Sequence, residues 1–390
     1  MRILVIDNVN YEDYPTGGIL NFYRNMLPAF GNDLLLAGIT TDAKTLVGRW
    51  TRKKIDGKEY DYFSMAKVTA SSKRPLIPER IKNCIYTRKY IRKILDRNDF
   101  DIILTQKPEV IYFFPDRVLN KTCYILPGVG NPLLISRYPL AHHFAKIYDK
   151  FFFMPKAAKA RWLLAAADYE ARDEFAKRSS GMIEAKNIIQ FPTRYDDKYY
   201  YMDNTRKRKK GNIFVTVGRL GWFKGWKLMI DAFKIVSKKN KDSEFHFIGD
   251  GEDEKKINNY IRTKDLEGKV FCDGKKTPAE IGKILNDADV FVMGSMREGW
   301  STTLVEACAC GVPCVVSDFS SSKEMISDGK NGFVVVGRDE KEFAKKMLMA
   351  LELDRLAVME YDKRFSCLAV SNLKNDLLNV LNSCYSFTDQ

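Results

Sequence analysis

The chain has 390 residues, 45% of them apolar, with 64 basic against 50 acidic side chains and a net charge of +14. That length exceeds one compact core and predicts two domains of similar size, while the apolar content is that of an ordinary globular protein. The absence of any apolar run near the roughly eighteen residues of a membrane span excludes a transmembrane helix, and the positive excess calls for an anionic partner.

The start, Met1 to Asp7, has too short an apolar run for a signal peptide and reads as a buried first strand. Further strands are predicted at Asp33–Ala37, Asp101–Leu104 and Cys123–Leu126 in the first half. In the second half they fall at Ile213–Val217, Glu244–Ile248, Val290–Met293, Cys314–Ser317 and Gly332–Val335. Amphipathic stretches separate them, a pattern that predicts α/β architecture with doubly wound parallel sheets. Tyr199 to Asn212, with Arg206-Lys207-Arg208-Lys209-Lys210, is polar and aperiodic and is the linker candidate. Leucines 368, 373, 377, 378 and 381 predict a packed terminal helix. The expected organisation is therefore 1–200, 201–365 and a closing helical segment over 366–390.

Part of the charge is concentrated. Lys73 to Arg97 carries nine basic and two acidic side chains around isoleucines 77, 81, 85, 91 and 94. An anionic membrane surface and a half-buried helix with a solvated basic face both fit that pattern. Phe144 to Trp162, with Phe151-Phe152-Phe153 among lysines, is a second segment of this type. No nucleic-acid-binding signature accompanies the charge. Eight scattered cysteines without an extracellular signal favour a reduced, cytosolic setting. Cys308, Cys310 and Cys314 lie in an apolar stretch with no histidine near, which reads as buried thiols and not a metal site.

The chemistry concentrates in the second half. Glu298 and Glu306 flank seven small, hydroxylated or turn-forming residues, Gly299-Trp300-Ser301-Thr302-Thr303-Leu304-Val305, between an apolar strand and an apolar helix start. Carboxylates accept hydrogen bonds from hydroxyls, and helix-start amides meet phosphate, so the pattern suits a polyhydroxylated anion. Ser301, Thr302 and Thr303 are suited to cap the helix that carries Glu306. Gly218-Arg219-Leu220-Gly221-Trp222-Phe223-Lys224-Gly225 follows another strand and offers two cations at its carboxyl end. Gly249-Asp250-Gly251-Glu252 is a third strand-end turn, read as loop-forming.

In this combination the chain resembles the retaining, nucleotide-sugar-dependent glycosyltransferases of the GT-B fold, family four. The match runs from Val215 to Val335 and includes Glu306-Ala-Cys-Ala-Cys-Gly-Val-Pro and Asp328-Gly329-Lys330-Asn331-Gly332-Phe333. In the first half it rests on the opening strand, Gly17-Gly18 and Phe191-Pro192-Thr193-Arg194. The resemblance implies two Rossmann-like domains facing a cleft, with a UDP- or GDP-linked sugar as donor and no metal or other cofactor. It implies that Arg219 and Lys224 hold the donor diphosphate, that Glu306 binds the ribose and that Glu298 contacts the sugar. Ser301, Thr302, Thr303 and Leu304 would complete the donor site, with Gly17 and Gly18 approaching the phosphates from the first domain.

The resemblance further implies a saccharide or lipid-linked acceptor, a role in cell-surface polysaccharide biosynthesis and a place in the cytoplasm or on the inner face of the membrane. Two departures stand out. Where many relatives carry a cleft-facing histidine, this chain reads Leu126-Pro127-Gly128-Val129-Gly130-Asn131-Pro132, with Asn131 or backbone amides as substitutes, and Trp300 replaces a common phenylalanine. A nucleotide-sugar epimerase or hydrolase and a non-catalytic scaffold share the architecture and stand as the alternatives.

Overall fold

The computed structural model describes all residues except 16–17, 70–76, 127–129, 132, 135–139, 167–168, 204, 206–211 and 384–390. The chain divides into two compact units, Met1–Pro192 with Leu373–Gln390, and Thr193–Asn372.

The first unit is built on eight strands: β1 (Ile3–Ile6), β2 (Leu34–Thr40), β3 (Trp50–Ile55), β4 (Lys58–Lys67), β5 (Ile102–Thr105), β6 (Thr122–Leu126), β7 (Trp162–Ala165) and β8 (Ile188–Gln190). Their order is β3-β4-β2-β1-β5-β6-β7-β8, parallel throughout except for the β3–β4 hairpin. Alternate residues of β1 enter different cores: Leu4 and Ile6 pack on one face of the sheet, Ile3 and Val5 on the other. A strand covered on both faces has no solvent side, which is why it reads as a continuous apolar run.

Two helices matter most here, α1 (Gly18–Phe30) and α2 (Glu79–Leu95). The charged segment of α2 follows neither reading throughout. Ile91, Ile94 and Leu95 are buried in the core, whereas Ile77, Ile81 and Ile85 stand about half exposed. Lysines and arginines 73 and 74 lie outside the described residues. The second basic segment is not one helix: short helical turns run from Leu140 to Ala157, and Trp162 opens the buried strand β7. Lys156 and Lys159 reach the carboxylate of Asp116 at 2.8 and 2.5 Å.

The second unit contains β9 (Ile213–Val217), β10 (Glu244–Ile248), β11 (Val270–Gly274), β12 (Val290–Met293), β13 (Cys314–Ser317) and β14 (Gly332–Val335). All are parallel, in the order β11-β10-β9-β12-β13-β14. Helices α3 (Trp226–Lys239), α4 (Glu254–Thr263), α5 (Pro278–Asp287), α6 (Thr302–Ala309), α7 (Glu340–Leu351) and α8 (Arg355–Asp362) cover them. Phe291 and Met293 of β12 face one core, Val290 and Val292 the other.

The division at Pro192–Thr193 falls earlier than residue 200 because Tyr195 and Tyr200 pack into the core of the second unit. Tyr195 also exchanges backbone hydrogen bonds with Leu368 and Val370, at 3.2 and 2.9 Å. The helix α9 (Leu373–Asn382) then joins the first unit, where Leu373, Leu377 and Leu381 share a core with Leu20, Tyr23 and Leu27 of α1.

Candidate active site

In the second unit β9 and β12 are neighbours, and chain order runs outward from them: β10 and β11 on one side, β13 and β14 on the other. Loops leaving adjacent strands at such a switch point diverge and open a crevice at the strands' carboxyl ends. Arg219 and Lys224 follow β9; Ser295, Glu298 and Ser301 follow β12. The two loops are stitched together, since the Met296 amide donates to Phe223 O at 2.8 Å. Gly225 lies at φ +71°, and a Cβ there would fall 1.8 Å from Gly294 O, so only glycine allows the crossing.

That crossing fixes Lys224 against Glu298. Lys224 Nζ lies 2.5 Å from Glu298 Oε1, with the side chains only 23% and 17% exposed, and Ser295 Oγ donates to the same oxygen at 2.8 Å. The sequence predicted one phosphate cation and one sugar-binding carboxylate; the structure makes them a shielded ion pair. Arg219 differs. It pairs with Glu252 at 3.0 Å on the surface. The Gly249–Glu252 turn is tied to that loop by Leu220 N donating to Asp250 O at 2.8 Å, in keeping with a loop-forming role.

Helix α6 begins at the same place without a cap. Asp339 and Asp354 accept backbone hydrogen bonds at the starts of α7 and α8, and Thr277 forms a capping box on α5. Ser301 makes no side-chain cap bond; its hydroxyl lies 3.3 Å from that of Thr303. The capping expectation therefore fails in its side-chain part. The amides of Thr302, Thr303 and Leu304 precede the first intrahelical bond, Val305 N to Ser301 O, at a helix start of the kind that favours an anion.

Glu306 sits one turn into α6, where burial pushes its carboxyl up to about 8; Tyr200 opposes this by donating a hydrogen bond, and Asp196 adds to it. Nothing in the sequence paired Tyr200 with Glu306. The signal available was only that an aromatic hydroxyl lies at the start of the linker candidate. Trp300 lies against the apolar core, its indole N–H buried without a partner.

The first unit has its own switch point between β1 and β5, with β2 on one side and β6 on the other. The buried residues Asp7, Asn8 and Gln106 lie at those strand ends. Asp7 accepts from the Tyr23 hydroxyl, from Gln106 N at 3.0 Å and from Thr105 Oγ1 at 3.3 Å. Burial outweighs these bonds and raises its carboxyl to about 7. Neither amide atom of Asn8 has a partner, nor does Gln106 Nε2. The sequence reading passed over these residues because single amides carry no pattern.

Gly18 opens α1 and a Cβ there would meet nothing within 4 Å; Gly17 lies outside the described residues. Asn131 does not replace a histidine. Its amide donates to Ala145 O at 2.9 Å and Asp149 at 2.7 Å, and its oxygen accepts from Leu133 N at 2.8 Å. His142 and His143 are exposed, and His246 sits in β10 beside Asp273 at 2.8 Å. Cys308, Cys310 and Cys314 are free and buried in the core, and burial holds the Cys310 thiol at about 12. Among the described residues no three metal-ligating side chains of these types converge.

Residues 198–366 match the family model described as glycosyl transferases group 1. Mannosylfructose-phosphate synthase of Agrobacterium fabrum is 27% identical over 190 residues, 45% of this chain and 42% of that protein. Lipopolysaccharide 1,6-galactosyltransferase of Salmonella typhimurium is 33% identical over 129 residues, 32% of this chain and 36% of its own. The chain thus spans less than half the length of these curated relatives. The structure of Anabaena HepE in complex with UDP and glucose superposes with a TM-score of 0.69 at 16% identity, over 98% of this chain and 100% of that one. Its likeness is one of fold. Residues 198–366 are therefore similar to the group 1 glycosyl transferases, on a chain with the GT-B fold of two parallel-sheet α/β domains.

Proposed function

We propose that this protein transfers a sugar from a nucleoside diphosphate sugar to a hydroxyl of a saccharide or lipid-linked acceptor, with retention of anomeric configuration, in cell-surface polysaccharide biosynthesis. The observation that carries the reading is the meeting of Lys224, Glu298 and the uncapped start of α6 at one switch point. Lys224 and the amides of Thr302 to Leu304 suit the diphosphate, with Arg219 as an outer cation. A phosphate drawing on Lys224 frees Glu298 for hydroxyls of the sugar. Glu306 accepts from the ribose. In this reading these cations and amides meet the developing negative charge, and no metal is called for.

The bond between the anomeric carbon and the phosphate oxygen breaks as the acceptor oxygen bonds to the same face of that carbon. The acceptor's proton passes to the leaving phosphate, so no side chain acts as nucleophile. Asn8, whose two amide atoms are both unpaired, Gln106 and Asp7 are the residues we assign to the acceptor's hydroxyls. UDP bound by the Anabaena structure and the acceptors named for the curated relatives support this donor and acceptor class. A thermal-shift screen of nucleoside diphosphates identifies the base, and incubation with the matching labelled sugar nucleotide tests transfer. Turnover without an acceptor would mark a hydrolase or epimerase; donor binding without turnover on any acceptor would mark a scaffold.

A further inference from the structure

We propose that the second unit carries a further binding groove, between helix α4 and the starts of α3 and α7, which takes a neutral saccharide chain. This concerns binding alone and holds or fails without the transfer reaction. The groove has a volume of about 770 Å³, within the range of ligand sites. Trp222 and Gly225, from the loop that carries Lys224, contribute to it, but Lys224, Glu298 and Glu306 are not among the residues that line it. Trp226, Asn259 and Tyr260 line it from α3 and α4, and Arg338 and Glu340 from the turn into α7.

Two rings are held there in fixed positions. Trp222 is 65% exposed, and Phe223 meets it edge-on, with centroids 6.4 Å apart and planes at 90°. Its carbonyl accepts from Gly225 N at 3.1 Å, which fixes the backbone behind the indole. Tyr260 is half-buried; its hydroxyl donates to the Asp231 carboxylate at 2.9 Å, and its ring meets that of Trp226 at 5.5 Å and 73°. Met296, 48% exposed, lies in the same groove, so these apolar side chains are grouped and not scattered singly over the surface.

Charge decides the occupant. Three cations, Lys227, Lys256 and Arg338, and three carboxylates, Asp231, Asp253 and Glu340, line the groove and balance. Most are already engaged. Asp253 takes Lys256 at 2.6 Å and the Trp226 indole N–H at 3.1 Å, Asp231 takes Lys264 at 2.5 Å, and Arg338 donates to Gly294 O at 3.1 Å. A phosphate, a nucleic acid or an anionic lipid calls for a cationic excess that the groove does not have. A protein segment calls for an apolar centre depleted of charge. A neutral sugar suits both the rings and the balance. The C–H face of a pyranose is weakly positive and lies on the negative face of an aromatic ring, while its hydroxyls bond to carboxylates and amides. Glu340 and Asn259 are exposed and supply those groups. On the transfer reading, a glycan held here stays tethered between turnovers, at the effective concentration a second contact confers.

The test is titration calorimetry of the full chain with neutral hexasaccharides of glucose, of galactose and of mannose, each with and without saturating UDP. At least one is expected to bind with a Kd of about 1 mM or tighter, and equally well when UDP is present. Trp222→Ala removes an exposed ring and is expected to weaken that binding about tenfold at an unchanged melting temperature. Asn259→Ala, on the exposed side of α4, is expected to weaken it about threefold or more. Binding of none of the three overturns the proposal, and so does binding unchanged in both variants. Displacement by UDP overturns it by placing the sugar in the donor site, and tighter binding of a sulfated hexasaccharide overturns it by making the groove an anion site. Failure of UDP itself to bind would sink the donor reading and leave this comparison of wild type and variants intact.

Discussion

Glu306 is the residue through which the donor site can be tested by stability as well as by activity. Its carboxyl titrates near 8 in the folded chain, against 4.5 for the ordinary group, because α6 buries it and only the Tyr200 hydroxyl compensates. The folded state thus binds the proton more tightly than the unfolded state does. Stability from this group is fully present below the unfolded value and is lost as pH rises through the folded one. Each pH step inside that window costs about 1.4 kcal/mol, so a rise from about pH 5.5 to pH 8 costs about 3 kcal/mol. Glu306→Gln keeps an oxygen for the Tyr200 hydroxyl and cannot titrate. Measured by scanning calorimetry, the variant's melting temperature should exceed the wild type's by an amount that grows by about 6–12 °C over that range, for a unit of this size. Taking the difference cancels groups common to both proteins, Asp7 and Asp362 among them. A difference that stays constant with pH would refute the buried, proton-binding Glu306.

The same group makes donor binding pH-dependent: if the ribose hydroxyls need the carboxylate, UDP affinity in the wild type should rise about tenfold per pH step up to 8 and stay flat in Glu306→Gln, by titration calorimetry. Lys224→Ala should weaken UDP binding at least tenfold and lower transfer about a hundredfold while circular dichroism is unchanged; full activity would sink the donor-site assignment. Gly225→Ala, which drives a methyl into Gly294 O, should cost the second unit several kcal/mol in urea unfolding, whereas Gly329→Ala, at φ +75° with no neighbour within 4 Å, should cost about 1 kcal/mol. Asn8→Leu removes no protein hydrogen bond and should leave the melting temperature within a few degrees, yet reduce transfer at saturating donor if it contacts the acceptor.

Five of the six strands of the second unit, all but β11, were legible because each is a short, largely apolar run that ends close to a glycine, a serine or a charged turn. The β3–β4 hairpin was missed although Asp56-Gly57 marks its turn, since Arg52, Lys53 and Lys54 break the apolar alternation. Lys53 explains why: it is buried in that strand and pairs with Glu12 at 2.7 Å, a contact no local pattern foretells. Strand β7 was hidden inside a basic, aromatic segment, and β11 carries partly exposed residues throughout most of its length. Within the site, residue types and spacing pointed to Lys224, Glu298 and Glu306. Their state did not show, because it depends on Tyr200, Ser295 and the Gly225–Gly294 crossing, which come from distant parts of the chain.

The backbone bonds between Tyr195 and residues 368 and 370 close the second unit at its own entrance. Where the chain enters and where it leaves, the two segments lie side by side at a bridge between Tyr195 and Ala369, and Arg194 adds a bond to Cys367 O at 2.6 Å. Such a unit is an insert with paired ends, a cassette that can be lifted out or exchanged without opening either sheet. On the proposed donor role, grafting residues 193–372 of a relative with another donor into this frame would alter the sugar delivered while α1, α9 and the strands of the first unit keep their packing. The joints for such an exchange are already sewn by the native fold.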